Sequence, residues 1–518
     1  MKNIFAIAIA SLAISSIQAQ DINDAMRFAQ TDLNGTARFK AMGGAFGAVG
    51  GDFSALNINP AGSLIFANNQ VGLTLTNFND SNNSNYFGTS TSARKNSIDL
   101  NQAGAVFVFN NQDTRSDWRK FAFTINYENA KNLDNNIFSE GTNPNNSVDK
   151  YFLSYANQKG GIPIELLQTQ PGETIQSLYT YIGGLPDSNY PNINGYQAQQ
   201  AFLGYQSYII EAATTSPSNT SYTTGVLSGG DYYQQNRIKS TGYNSKVSFN
   251  FAAQYTDKWL FGINLNSHFL DYRQSSSFYE SKKNSNVNDI IFRNDLYTYG
   301  SGFSLQLGTI FKPVKQVRMG IAYESPTWYK LTDELSQRIS TSVYGLSTSP
   351  NSYSSVTTDP NTTMIFAPYN LQSPGKWTGS FAYIFGKRGL ISLDLCSKNY
   401  GTTTYRPKGD FTSTNTYMAN NLTNATEVRI GGEYKIKKIS LRGGYRYEQS
   451  PYKNGTTIGA LTGYSTGLGY NFGSTKLDLA YANAKRDYDQ QFFSQGLTDA
   501  ARIKSVNNNV TITLLFEL

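Results

Sequence analysis

The chain reads as an all-β protein: a transmembrane antiparallel β-barrel of about fourteen strands, with an N-terminal hatch inside the lumen. Three observations predict it. Apolar residues alternate with small or polar ones at a period of two, as in Val247, Phe249, Phe251, Ala253 and Tyr255 against Ser248, Asn250, Ala252 and Gln254. A strand with that pattern faces two different solvents. Mid-strand charges always share parity with the small residues: Arg318 and Glu324, Arg429 and Glu433, and Arg442, Arg446 and Glu448. A charge facing lipid at the bilayer midplane costs roughly 2 to 4 kcal/mol, so these line the lumen. Finally, the chain is 15% charged and 14% aromatic, with 36 Tyr and 31 Phe, and its mean hydropathy of -0.42 is foreign to a helical membrane protein. Barrels carry girdles of aromatic residues at both membrane interfaces.

Residues 1–19 are expected to be a secretory signal peptide. Lys2 gives a positive start, Ile4 to Ile14 is an apolar run, and Ile17-Gln18-Ala19 offers a small residue for cleavage. The run covers about half of the roughly 20 residues a spanning helix needs. The single Cys, Cys396, excludes an N-terminal lipid anchor, an intrachain disulfide and a multi-Cys metal site. A net charge of +7 with no basic stripe gives no case for nucleic acid.

Residues 20–68 are expected to form the hatch. They are not strand-like, and the glycines of Met42-Gly43-Gly44-Ala45-Phe46-Gly47-Ala48-Val49-Gly50-Gly51-Asp52 permit close backbone packing. A nucleotide-binding loop is excluded, because no strand precedes these glycines and their spacing is not that of a dinucleotide fingerprint. Asn59-Pro60-Ala61 follows, and a tight turn there is expected to lead into the first strand at Val71.

The barrel is expected over 69–518. Alternating segments fall at 71–79, 100–110, 119–128, 244–256, 258–272, 299–312, 315–325, 374–386, 388–400, 426–437, 438–448, 459–472, 474–486 and 506–518. Short turns at Thr256-Asp257, Pro313-Val314 and Gly386 to Gly389 alternate with long loops at 129–243, 325–373 and 400–425. Short turns belong to the periplasm and long loops to the exterior, which would leave both termini periplasmic. The large extracellular loop 129–243 holds helix-like pieces near Thr174 to Ile182 and Tyr196 to Thr214. The Asn- and Ser-rich stretches Asp80 to Asn85 and Ser347 to Ser355 read as solvated loop.

Several motifs resemble the outer-membrane transporters of the FadL/TodX family, which carry long-chain fatty acids and aromatic hydrocarbons. They are the Gly/Ala-rich hatch with Asn59, Pro60 and Ala61, then Tyr323-Glu324-Ser325-Pro326, Arg442-Gly443-Gly444-Tyr445, Ser450-Pro451-Tyr452, Gly467-Leu468-Gly469-Tyr470 and Asp478-Leu479-Ala480-Tyr481. Nearly the whole mature chain takes part. The loop at 129–243 looks enlarged, and the ending Phe516-Glu517-Leu518 lacks the usual terminal aromatic residue.

The resemblance implies a monomeric channel, inserted among outer-membrane lipids by the barrel-assembly machinery. It would need no cofactor and would take up hydrophobic small molecules passively, with release through hatch movement and a lateral gap in the wall. Lumenal Arg318, Arg429, Arg442 and Arg446 are candidates to meet a substrate carboxylate. Alternatively they pair with Glu324, Glu433, Glu448 and Asp478 and hold the wall. Relatives in gliding and type IX-secreting bacteria imply another class, a shuttle or partner of a secretion system. A hydrolase or a hemin receptor would each have to use His268, the one histidine.

Overall fold

A computed structural model describes residues 21–346 and 352–518. The expected signal peptide and Ser347 to Asn351 lie outside the described residues. Fourteen strands form the wall: β1 (Gln70–Tyr86), β2 (Thr89–Asn110), β3 (Trp118–Asn132), β4 (Tyr232–Tyr255), β5 (Trp259–Ser281), β6 (Val287–Val314), β7 (Val317–Glu324), β8 (Lys376–Ile384), β9 (Gly389–Asn399), β10 (Asn424–Ile436), β11 (Ile439–Glu448), β12 (Ile458–Asn471), β13 (Thr475–Gln491) and β14 (Ala500–Glu517). Each pairs antiparallel with its neighbours, and β14 closes on β1 from Gln70 opposite Glu517 onward. Each of the fourteen overlaps one expected segment, and several extend well beyond it.

The two faces divide as their parity requires. Phe251, Ile321, Trp377, Leu441 and Leu479 point outward and are exposed, whereas Asn250, Asn264, Thr378, Arg442 and Asp478 are buried inside. No helix among the described residues is long and apolar enough to cross a membrane.

Many strands outrun the membrane. A spanning strand needs about 9 to 11 residues, yet β4 has 24 and β6 has 28. The segment Asp80 to Asn85, expected as loop, is the upper part of β1 and pairs with β2 and β14. Pairing continues there, but the inner face is buried through polar contacts, Asn82 with Asn135 and Ser84 with Ser139 of the β3–β4 connection, so the hydrophobic alternation that marks a strand disappears. Similarly, the loop expected at 325–373 contains a 17-residue strand, Trp328–Tyr344, that extends the wall along upper β6. The turn expected at Pro313-Val314 falls after Val314, at Lys315-Gln316.

The long connection between β3 and β4 is a folded lobe. Its strand Asn135–Asn143 pairs with upper β4. Beyond it come three helices, Asp149–Ala156, Ile175–Gly183 and Gly195–Gln206, and a two-stranded sheet of Ile210–Ala212 with Tyr222–Thr224. The first helix carries no clear sequence period and was not expected. The lobe buries Phe152, Ile182, Phe202 and Leu203 against Phe278, Phe292, Ile339 and Val343 of the wall extensions.

Residues 21–69 lie inside the barrel. They form helix α1 (Ile22–Ala29), helix α2 (Ala37–Ala41) and two turns of 3₁₀ helix, Ser54–Asn57 and Pro60–Ile65. Asp21 caps α1 with a capping box, and the Thr36 hydroxyl caps α2 by accepting from Phe39 N. Asp21 sits deep in the lumen, where its carbonyl accepts from Tyr405 Oη at 3.0 Å. Leu518, by contrast, is at the short-turn rim beside Asn69.

Candidate functional site

The wall holds the lumenal segment around most of its circumference. Asp394 accepts from Phe46 N at 2.9 Å and Gly47 N at 3.0 Å. Gly43 N donates to Ser465 Oγ at 3.0 Å, and Ala37 N to Thr513 Oγ1 at 2.7 Å. Gln306 Nε2 donates to the Asn57 and Ile58 carbonyls, and Asn264 Nδ2 to Leu56 O. These bonds satisfy a glycine-rich backbone that makes few ladder pairs of its own.

Asn59, Pro60 and Ala61 form the tightest seat. Asn59 is extended, as the residue before a proline prefers, and Pro60 opens the following 3₁₀ turn. The Asn59 amide bonds three ways: Nδ2 donates to Gly47 O at 2.8 Å and Thr309 O at 2.9 Å, and Oδ1 accepts from Ala61 N at 3.1 Å. Pro60 O accepts from Asn250 Nδ2 at 2.9 Å. Three wall glycines make the room. A Cβ at Gly262 would stand 2.4 Å from Ala61 N, at Gly308 2.1 Å from Asn59 Oδ1, and at Gly320 2.6 Å from Gly47 O. Sequence reasoning missed these glycines, although their inward parity in neighbouring strands was the available signal.

The four candidate arginines are largely committed. Arg318 Nη1 donates to Val49 O at 2.6 Å. Arg429 forks onto Glu427, with both bonds at 2.7 Å. Arg442 joins Glu433 at 2.7 Å to Asp478 at 2.6 Å, and Glu433 also takes Arg38 from α2 at 2.9 Å. Arg446 pairs with Glu427 and Glu448 and donates to Thr31 O at 3.2 Å. The expected acidic partners Glu433, Glu448 and Asp478 are thus paired with arginine. Glu324 instead pairs with Lys376 at 2.9 Å. Arg38, Arg318 and Arg446 tie the lumenal segment to the wall.

Above α1 lies a cavity of about 490 Å³. Its apolar lining includes Met26, Leu133, Ile238, Leu296, Phe492 and Phe493, and its charged lining includes Arg27, Lys131, Arg446 and Asp134. Among the four candidate arginines only Arg446 reaches it. Arg27 and Lys131 were not anticipated, because neither stands at mid-strand where parity could place it.

The cavity's rim includes Asn132, and there the wall changes. The β2–β3 ladder runs from Asn110–Lys120 up to Gln102–Glu128 and no further among the described residues. Above it, upper β2 pairs only with β1, and side chains bridge the seam: Asn132 Nδ2 donates to Asp99 Oδ2 at 2.6 Å and Ser97 Oγ at 3.3 Å. At the foot of the seam Asn101 is bulged out of the β1–β2 register, and its Oδ1 accepts from Gly35 N of the lumenal segment at 2.5 Å.

His268 Nε2 lies 3.0 Å from Ser304 Oγ. That serine is fully buried and also bonds Asn266, while His268 Nδ1 has no partner among the described residues. A hydrolytic dyad needs an orienting third group and an open nucleophile, and this pair has neither. No group of three or more metal-binding side chains occurs among the described residues.

No family model and no curated protein matches the sequence. Among solved structures, a Pseudomonas aeruginosa FadL homologue superposes with a TM-score of 0.51 at 12% identity, covering 94% of this chain and 99% of that one. The chain has the fold of that FadL homologue. The Pseudomonas putida toluene transporter TodX follows with a TM-score of 0.49 at 14% identity, over 94% of this chain and 99% of TodX. In this FadL-type fold the barrel, the lumenal segment and the cavity above it are one continuous arrangement, and the folded β3–β4 lobe sits on its rim.

Proposed function

We propose that the protein is an outer-membrane channel for passive uptake of hydrophobic molecules, with residues 20–68 as its hatch. The observation that carries this reading is the cavity beside an unzipped wall. A solute captured above α1 borders the β2–β3 seam, where side chains replace the backbone ladder. Exit through such a seam delivers it sideways into lipid, avoiding the polar outer leaflet. Burial of apolar area at about 25 cal/mol per Å² favours both capture and exit. The fold shared with the FadL homologue supports this reading.

Hatch and seam are coupled at Asn101 and Gly35, so movement of the segment before α2 releases the bulge at the foot of the seam. Of the four candidate arginines, Arg446 lines the cavity beside Arg27 and Lys131, and it would meet a carboxylated solute in competition with Glu427 and Glu448. The test is uptake of a labelled long-chain fatty acid and of labelled toluene by cells that express the protein against cells that lack it. Faster uptake of at least one is expected, and equal rates for both solutes would reject the proposal.

A further inference from the structure

A second, much smaller cavity of about 50 Å³ lies between the C-terminal end of α1 and the wall. We propose that it is a binding site for one small oxyanion, a carboxylate or phosphate group, held by Lys246 together with Lys131, Lys376 and Lys398. All four lysines line it, with Glu324 as the one carboxylate in the lining. Glu324 is taken by Lys376 at 2.9 Å. Lys131 donates to Arg27 O at 2.8 Å and Lys398 to Ala29 O. Those carbonyls belong to the end of α1, where the helix dipole welcomes a cation, but they cancel no full charge.

Lys246 has less. It is only 6% exposed, yet makes no hydrogen bond or ion pair among the described residues. Glu128 stands opposite it in register on β3, buried with Oε2 unpartnered, and offsets part of its charge without closing to an ion pair, so Glu128 and Glu324 together face four lysines. The other nearby carboxylates are occupied, Glu427 by Arg429 and Arg446, and Glu448 by Arg446 and Arg486. Buried charges are ordinarily paired or bound to a counter-ion. His268 also lines the cavity with Nδ1 unpartnered, whereas the unpartnered Asn244 Oδ1 there is an acceptor, suited to a lysine ammonium and not to the anion. The site therefore combines excess ammonium with an imidazole nitrogen able to donate.

Size narrows the ligand. A volume of about 50 Å³ exceeds the roughly 10–15 Å³ of such space that one water needs and suits a carboxylate or phosphate group, but not an alkyl chain. Gln30 and Lys131 line both this cavity and the large one. The oxyanion can thus be a free ion, or the head of a molecule whose body stays in the large cavity. The charge argument is the same for both sources and does not require the uptake reading.

Calorimetric titration of the folded full-length protein in a nonionic detergent, at constant ionic strength, tests the site with phosphate, acetate and decanoate. Saturable one-to-one binding is expected, weakened about tenfold or more in Lys246→Gln by loss of a charge-assisted hydrogen bond. Binding of phosphate or acetate without tighter decanoate binding identifies a free ion as the source. Tighter decanoate binding that acetate competes away identifies a head group. Should Lys246→Gln fail to fold, Lys398→Gln replaces it. No saturable binding of any probe to the wild type, or unchanged affinity in the folded variant, overturns the proposal.

Discussion

Lys40 of α2 is fully buried, its ammonium has no hydrogen-bond partner, and it lies 5.3 Å from the Phe78 ring centroid. Burial lowers its pKa to about 7, against the opposing pull of Asp32 and Glu128. In the unfolded chain the lysine keeps its proton to about 10.4. The unfolded state therefore binds more protons between these values, so the Lys40 contribution to seating the hatch improves as pH rises from about 7 to about 10.5. Protection of the α2 amides, the observed exchange relative to its base-catalysed intrinsic rate, should rise over that range in the wild type and lose this component in Lys40→Met. Parallel pH profiles would contradict the assignment. Gly262 makes a sharper residue-scale case, because any side chain there enters the Pro60-Ala61 backbone. Gly262→Val should leave the barrel folded but unseat the hatch, seen as proteolytic cleavage within 21–68 that the wild type resists. Equal resistance would mean that the segment tolerates the intrusion. These contacts were only partly legible: Asn59-Pro60 stood out in the sequence, but a strand glycine does not announce what it makes room for.

At the scale of elements, the strands were legible where two solvents differ and illegible where they do not. Phe249 and Phe251 against Ser248 and Asn250 mark β4 in the bilayer, whereas upper β1, from Asp80 to Asn85, is polar on both faces and reads as loop. The parity supports a direct test. Phe251→Arg should assemble into bilayers far less well than Asn250→Arg, by roughly the 2 to 4 kcal/mol of a lipid-facing charge. Equal folding yields would invert the faces. The hatch is a second element with its own expectation. Each of its contacts to the wall replaces solvent in a lumen too wide for wall side chains to fill, since about eight strands already close that space. Deleting residues 21–68 should give a folded barrel with raised conductance in planar bilayers. Unchanged conductance would remove its role as a plug. The candidate site was less legible than the strands, because ion-pair partners are chosen across the lumen. Glu433, Glu448 and Asp478 could be named as acids, but Arg38 joined Glu433 from the lumenal helix α2, which strand parity does not order, and Glu324 took Lys376 at the start of β8 instead of an arginine.

The whole molecule is a closed sheet with an internal segment, a folded rim lobe, and a seam between β2 and β3 where the ladder stops at Gln102 and Glu128. The seam escaped sequence reading because it is an absence of pairing between two segments that each look like ordinary strand. Its role in uptake is most directly tested by locking it. Asp99 and Asn132 touch across the seam at 2.6 Å, so Asp99→Cys with Asn132→Cys can be joined by a short, reductively cleavable bis-thiol reagent. Uptake of whichever labelled solute the wild type carries is then measured before linkage, after linkage and after reduction. Lateral exit predicts that uptake falls on linkage and returns on cleavage. Uptake that proceeds unchanged through a fully linked seam would contradict it.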